Sequence, residues 1–300
     1  MRVFVTGASG HVGSAVIPEL LSAGHQVVGL ARSDSSAAAL EAQGVEVQRG
    51  TLDDLDVLRD AAANADGVIH LAFKHEAMIS GDLEGAATAD LAAVQALTEP
   101  LVGTGKPFVG TSGTAMLAMT GVKGTGTEAD VMPGGYRVDT ENLTIALADR
   151  GVRTSVLRLP PTVHSSLDKQ GFIPTLIGIA RDKGVSGYIG DGANRWTAGH
   201  TLDVARLYRL ALEQAPAGSR LHAVDDEGVP LRQIAEVIGR HLDVPTASIA
   251  PEDAAAHFGW FAMFAAIDNP ASSIRTQQLL DWKPEHPGLL ADLDEGDYFA

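Results

Sequence analysis

The feature that most constrains this chain lies at residues 6–13. The β-branched and aromatic run Val3-Phe4-Val5 leads into Thr6-Gly7-Ala8-Ser9-Gly10-His11-Val12-Gly13, and a helical pattern opens near His11. A strand, a glycine-rich turn and a helix in that order are the context that a dinucleotide-binding turn requires. Gly7 permits the tight turn, Gly10 lets the backbone approach a pyrophosphate, and Gly13 lets helix and strand pack closely. The helix then offers unpaired N–H groups and the positive end of its dipole to the phosphates. Gly7, Ser9, Gly10, His11, Val12 and Gly13 are therefore cofactor-binding candidates. A glycine turn without a ligand accounts for the loop but not for its placement.

The first half alternates short β-branched runs with helical stretches, the pattern of a parallel sheet covered on both faces. Strands are expected over 3–5, 27–30, 45–47, 68–71, 108–109 and 154–159, with helices starting near His11, Ser36, Asp54 and Leu83. The Gly/Thr-rich stretch 111–127 reads as a loop, and a helix over 136–149 stops at Arg150-Gly151. Pro160-Pro161 then breaks the alternation. Helical patterns follow at 173–182, 202–213, 231–241 and 251–264, with few strands between them. The expected fold is α/β, a Rossmann-type doubly wound parallel sheet over 1–160 with a smaller, mostly helical C-terminal substrate lobe over 161–300. No repeat or low-complexity linker separates the halves, so they should pack as one unit, with the chain free to cross back.

A 45% hydrophobic content over 300 residues supports a sizeable core. The formal charge of -16, from 22 basic and 38 acidic side chains, repels nucleic acid and anionic lipid. The absence of cysteine removes disulfides, thiolate metal sites and a cysteine nucleophile, and no metal site is expected. No apolar run reaches membrane-spanning length, and the first strand leaves no room for a leader, so a cytoplasmic location is expected.

The Gly-x-x-Gly-x-x-Gly spacing of residues 7–13 resembles that of the short-chain dehydrogenase/reductase superfamily, in its extended and atypical, epimerase/dehydratase-like branches. The likeness continues along most of the chain. Val68-Ile69-His70-Leu71-Ala72 resembles the fourth-strand segment that ends against the cofactor, and Thr111-Ser112-Gly113-Thr114 the hydroxyl-rich segment after strand five. The run from Leu157 through Pro160, Pro161 and Val163 to His164 is similar to the segment that closes around the nicotinamide. Leu279-Leu280-Asp281-Trp282-Lys283-Pro284 resembles the C-terminal Leu-Gly-Trp-x-Pro signature. The resemblance implies that Leu71, Ala72, Phe73, Thr111, Pro160 and Val163 lie along the cofactor, with Asp53 near the adenine.

The end of the second strand selects the cofactor. An acid there would accept hydrogen bonds from the adenosine ribose of NAD, but the sequence reads Ala31-Arg32-Ser33. A 2′-phosphate meets a guanidinium fork and a hydroxyl instead of a carboxylate, so NADP(H) is the expected cofactor. Asp34 weakens that argument, and a solvated surface role for Arg32 is the competing reading.

For catalysis the resemblance implies a Tyr proton donor, a Lys four residues on and an upstream Ser. Tyr136 follows Ser112 at a suitable distance, but the Lys position holds Thr140, which cannot lower a phenol's pKa by charge. Arg137 is the nearest cation in sequence, and in a regular helix it would point about 100° away. Ser112 reads either as substrate-oxygen donor or as a loop hydroxyl, with Thr111 and Thr114 as stand-ins. Asp90 reads either as a site residue or as a solvated helix charge. His75, directly after strand four, is a second proton-donor candidate, because an imidazole titrates near neutrality, though a surface histidine is the simpler reading. In the second half Arg195 resembles the diphosphate-binding arginine of sugar-nucleotide enzymes, or, beside Trp196, stacks and pairs within the core. Phe258, Trp260, Phe261 and Phe264 read either as a pocket cap or as core.

The function these residues favour is an NADPH-dependent oxidoreductase that reduces a small carbonyl or a similar polarised double bond. The alternatives are a sugar-nucleotide epimerase or dehydratase and a non-catalytic NADP-binding regulator. The expected partner is a small-molecule substrate. A homodimer through the helices near 84–102 and 136–149 is expected as well.

Overall fold

β1 (Arg2–Thr6) shows why the central sheet is buried on both faces. Val3 and Val5 enter one apolar layer and Phe4 the other, and none of the three is exposed. Side chains alternate along a strand, so an uninterrupted apolar run fills both sides.

The computed structural model describes residues 1–299. The first half continues with α1 (His11–Ser22), β2 (Gln26–Ala31), α2 (Asp34–Glu41), β3 (Glu46–Arg49), α3 (Leu55–Ala63), β4 (Gly67–His70), α4 (His75–Ile79), α5 (Leu83–Thr98), β5 (Pro107–Gly113), α6 (Ala115–Met119), α7 (Val138–Ala146) and β6 (Arg153–Leu159). The second half brings β7 (Thr162–His164), α8 (Phe172–Lys183), β8 (Ser186–Ile189), β9 (Arg195–His200), α9 (Thr201–Gln214), β10 (Ser219–His222), β11 (Asp226–Pro230), α10 (Leu231–Leu242) and β12 (Thr246–Ile249). Seven parallel strands stand in the order β10-β6-β5-β4-β1-β2-β3. The order reverses between β1 and β4, opening a crevice at the carboxyl ends of the strands, where ligands of such sheets bind. α1 and α9 cover one face, and α3 and α5 the other.

The second half departs from its helical pattern in two ways. α9 and β10 return to the main sheet, and the lobe itself contains the small sheets β11-β9-β7 and β12-β8. Its strands are three to six residues long, too short for an alternating pattern to stand out. The stretch 111–127 is also not all loop. β5 runs on to Gly113, and α6 forms because Leu117 buries against Met132 and Val138. Phe258 and Phe261 belong to the lobe's core with Trp196, and Phe264 packs against it, while Trp260 is exposed. The C-terminal signature docks on α9. Trp282 is buried and donates its indole N–H to the Asp203 carbonyl, and the Asp203 carboxylate accepts the N–H groups of Glu285 and His286.

A buried ion pair ties α7 to β6. Arg158 and Glu141 have no side-chain exposure and meet at 2.6 Å, and Arg220 of β10 donates to the same carboxylate at 3.0 Å. Burial alone would raise the Glu141 pKa, but Arg158 and Arg220 hold it below the usual range. Its contribution to stability is therefore present above the unfolded-state pKa and is lost as pH falls through the depressed folded value. Glu141→Gln, which leaves the Arg158 charge without its partner, should lower stability by about 3–5 kcal/mol in chemical denaturation. A Glu141→Gln/Arg158→Met double variant should recover part of that loss.

Candidate active site

The glycine turn is built by backbone contact. A Cβ on Gly13 would lie 2.2 Å from the Gly7 carbonyl oxygen, and one on Gly7, whose φ is +67°, 2.7 Å from the Ala72 nitrogen. Gly10, at the N-cap of α1, bonds back to the Gly7 carbonyl and brings no side-chain cap, and the first turn of α1 holds no acid. The leading N–H groups of α1 thus stay available to an anion, and this side-chain-free cradle fits a dinucleotide pyrophosphate. Ser9 and Gly10 are exposed at its lip, and Val12 packs on the core. His11 turns away from the cradle. Its Nε2 lies 2.9 Å from the Thr201 hydroxyl at the start of α9, and burial together with the His164 charge pushes its pKa down to about 4.

At the adenosine end, Ala31 is buried and Arg32 lies exposed, 3.0 Å from Glu76. Such an exposed pair contributes only about 0–1 kcal/mol, so an incoming phosphate can displace it. Ser33 caps α2 by accepting the Ser36 N–H. Arg49, which sequence reasoning missed, stands in register with Ala31, donates to the Ser33 carbonyl at 2.6 Å and pairs with Asp34 at 2.8 Å. It therefore engages the acid that had counted against a phosphate. The signal for it was the pairing of β3 with β2, which brings their last residues together. Asp53 pairs with Lys74 at 2.6 and 2.7 Å.

Phe73, just past β4, is the hub of the other end. Its ring stands edge-on to His75 at 5.2 Å and to Tyr136 at 6.2 Å, and the Arg137 guanidinium lies 4.0 Å from its centroid. Leu71 and Ala72 lead into it, and the Ala72 N–H reaches the Thr6 hydroxyl. That hydroxyl lies 2.7 Å from His70 Nδ1, and His70 Nε2 lies 3.2 Å from Asp90. Because a carboxylate only accepts, Nε2 carries the proton and Nδ1 accepts from Thr6. Asp90 is thus a buried member of a Thr6–His70–Asp90 chain. Burial would raise its pKa, but His70 and Arg137 hold it down.

The structure corrects the Tyr136/Thr140 geometry. α7 begins at Val138, and Arg137 takes a left-handed φ of 57°, so Tyr136 precedes the helix and does not share a face with Thr140. Thr140 is buried facing Asp90. The Tyr136 hydroxyl is buried with no hydrogen-bond partner among the described residues. Burial, and after it the Asp90 charge, hold its pKa above the ordinary phenol range against the downward pull of Arg137. His75 is exposed at its surface, yet desolvation by the surrounding chain and the Arg137 charge lower its pKa.

Ser112 is not brought to the crevice. Strand alternation buries it on the side of Glu141, whereas a Cβ at Gly113 would meet only the Leu159 carbonyl, at 3.7 Å. Thr111 is engaged with the His70 carbonyl and the Tyr208 hydroxyl, and Thr114 with Thr197 and Asn269, so neither is a free stand-in. Pro160 is buried between β6 and β7, and Val163 packs on the main core. His164 is bound to Asp292 at 2.7 Å, and His200 caps α9. Arg195 makes two bonds to Asp268, at 3.0 and 2.9 Å, in an exposed pair.

Residues 3–224 match the NAD dependent epimerase/dehydratase family, and the chain belongs to it. It is an enzyme of the NAD(P)-dependent extended short-chain dehydrogenase/reductase type. It is 48% identical over 299 residues to an uncharacterized protein of Schizosaccharomyces pombe, with 100% of both chains covered. A 4-hydroxy-2-methyl-3-oxo-4-farnesyl-3,4-dihydroquinoline-1-oxide ketoreductase of Stigmatella aurantiaca is 26% identical over 299 residues, covering 90% of this chain and 84% of its own. The dTDP-glucose 4,6-dehydratase DesIV of Streptomyces venezuelae, solved with NAD, shares the fold at a TM-score of 0.79 and 18% identity, with 98% of this chain and 95% of that one covered.

The cradle is directly testable. Gly13→Ala forces a Cβ into the Gly7 and Ala8 carbonyls. Dinucleotide binding, followed by calorimetry, should then be lost or weakened by about tenfold or more.

Proposed function

We propose that the protein is an NADPH-dependent reductase of a small carbonyl, with residues 161–300 supplying the lobe that selects the substrate. The observation that carries this reading is the Tyr136 hydroxyl, buried without a partner beside Phe73 at the edge of β4 and β5. An unsatisfied buried donor is costly, and a carbonyl oxygen placed there would satisfy it. The ketoreductase relative supports the same chemistry. A bound dihydronicotinamide supplies the hydride. Tyr136 gives its proton to the carbonyl oxygen, and the Thr6–His70–Asp90 chain fixes the edge against which the reacting atoms sit. Tyr136→Phe keeps the ring but removes the hydroxyl, and carbonyl reduction should fall by about two to four orders of magnitude. Near-normal turnover there, with the loss appearing in His75→Gln instead, would move the proton to His75. The rate would then fall as pH rises through a point below about 6.5, whereas a phenol donor keeps it flat until near or above about 10.

NADP(H) is the proposed cofactor because Arg32 is displaceable from Glu76 and Arg49 occupies Asp34. It should bind at least about tenfold more tightly than NAD(H), an advantage of about 1.4 kcal/mol. Titration of both cofactors checks this, and Arg32→Ala should remove most of the preference. Equal affinities in the wild type would overturn it.

A homodimer through α5 and α7 and a cytoplasmic location belong to the same proposal. Val94, Leu97 and Leu147 are consumed by the core, which leaves the half-buried Leu91 and Leu143 for a partner. Light scattering should report a particle about twice 31.2 kDa at micromolar concentration, and a 31.2 kDa particle throughout would rule the dimer out.

A further inference from the structure

We propose that Arg137 is the positioning residue that supplies, from the position next to Tyr136, the positive charge Thr140 cannot supply, so that the site works as a Tyr-Arg pair set by a left-handed turn. The inference rests on the reading of Tyr136 as proton donor. In a regular helix Arg137 would lie about 100° around the axis from Tyr136. The φ of 57° changes that, and a residue other than glycine holds such a conformation only where its surroundings enforce it. Here the enforcement is visible. The guanidinium rests 4.0 Å from the centroid of Phe73, the ring that also meets Tyr136, and its Nη2 donates to the Thr111 carbonyl at 3.2 Å. Its Nε is buried without a partner, and it forms no ion pair among the described residues.

The groups around it divide clearly. Asp90 of α5 carries the opposing charge; His70 engages its Oδ1, its Oδ2 has no partner among the described residues, and it pushes the Tyr136 pKa up against Arg137. His75 of α4 is held toward its neutral form, and Tyr208 of α9 is protonated and bonded to Thr111. The Tyr136 phenol gives its proton to the carbonyl oxygen, forming the new O–H bond; a bound dihydronicotinamide would supply the hydride to the carbonyl carbon and be left oxidised. The phenolate left behind is stabilised by the unpaired guanidinium until solvent returns a proton.

Tyr136 can be titrated by the ultraviolet difference absorbance of tyrosinate, with Tyr136→Phe as the subtraction. Arg137→Met should raise its apparent pKa by about one unit or more, and Arg137→Lys should restore most of the shift. In carbonyl reduction kcat should fall about tenfold or more in Arg137→Met with KM within about threefold, and Arg137→Lys should recover it. If the Met variant does not fold, Arg137→Gln serves in its place. An unmoved Tyr136 titration, or a Lys variant no better than the uncharged one, overturns the proposal. Should the wild type reduce no carbonyl, the reductase reading fails, and the titration still decides for or against the pair.

Discussion

The contact between backbones at the glycine turn is the constraint on which the rest depends. Gly13 brings α1 onto the Gly7 carbonyl, and Gly7 brings the same turn onto the start of the segment after β4. Three elements meet with no side chain between them, so the direction of α1 and the path of residues 71–73 are fixed together. The pyrophosphate cradle and the Phe73 hub are therefore placed by one packing event. A change at either glycine reaches both ends of the crevice, because backbone atoms cannot move aside as a flexible side chain can.

Electrostatics complete what the turn begins. The chain is strongly acidic, yet the crevice gathers guanidinium groups whose carboxylate partners are weakly held or elsewhere engaged. Arg49 occupies Asp34, and His70 occupies Asp90, leaving Arg32 and Arg137 with the least opposed charge at the two ends. The deep ion pair of Arg158 and Glu141 has the reverse character. It is closed on itself and holds α7 against the sheet, so that the turn preceding α7 has a rigid element to project from.

The fold was legible because its signals are local and repeated. A buried parallel strand such as β1 declares itself by an unbroken apolar run, and the glycine turn by its spacing between strand and helix. The site was legible only in part, and the failures share a cause. Arg137 was read as pointing away because helical periodicity was assumed to start at residue 136, and no sequence rule marks a left-handed arginine. Ser112 was drawn to the site by its neighbours in sequence, whereas strand alternation sends it to the opposite face from the open position at Gly113. Arg49 and Asp53 depend on pairing across strands and loops, which residue spacing does not encode.

The docking of Trp282 on Asp203 has a mechanical consequence. α9 is gripped at one side by the segment around residues 282–286, and its first residue, Thr201, holds His11 of the nucleotide turn. The first turn of α9 thus joins the last part of the chain to the phosphate end of the crevice. Amide protons in α1 and α9 should therefore exchange with the same opening free energy as those around Trp282.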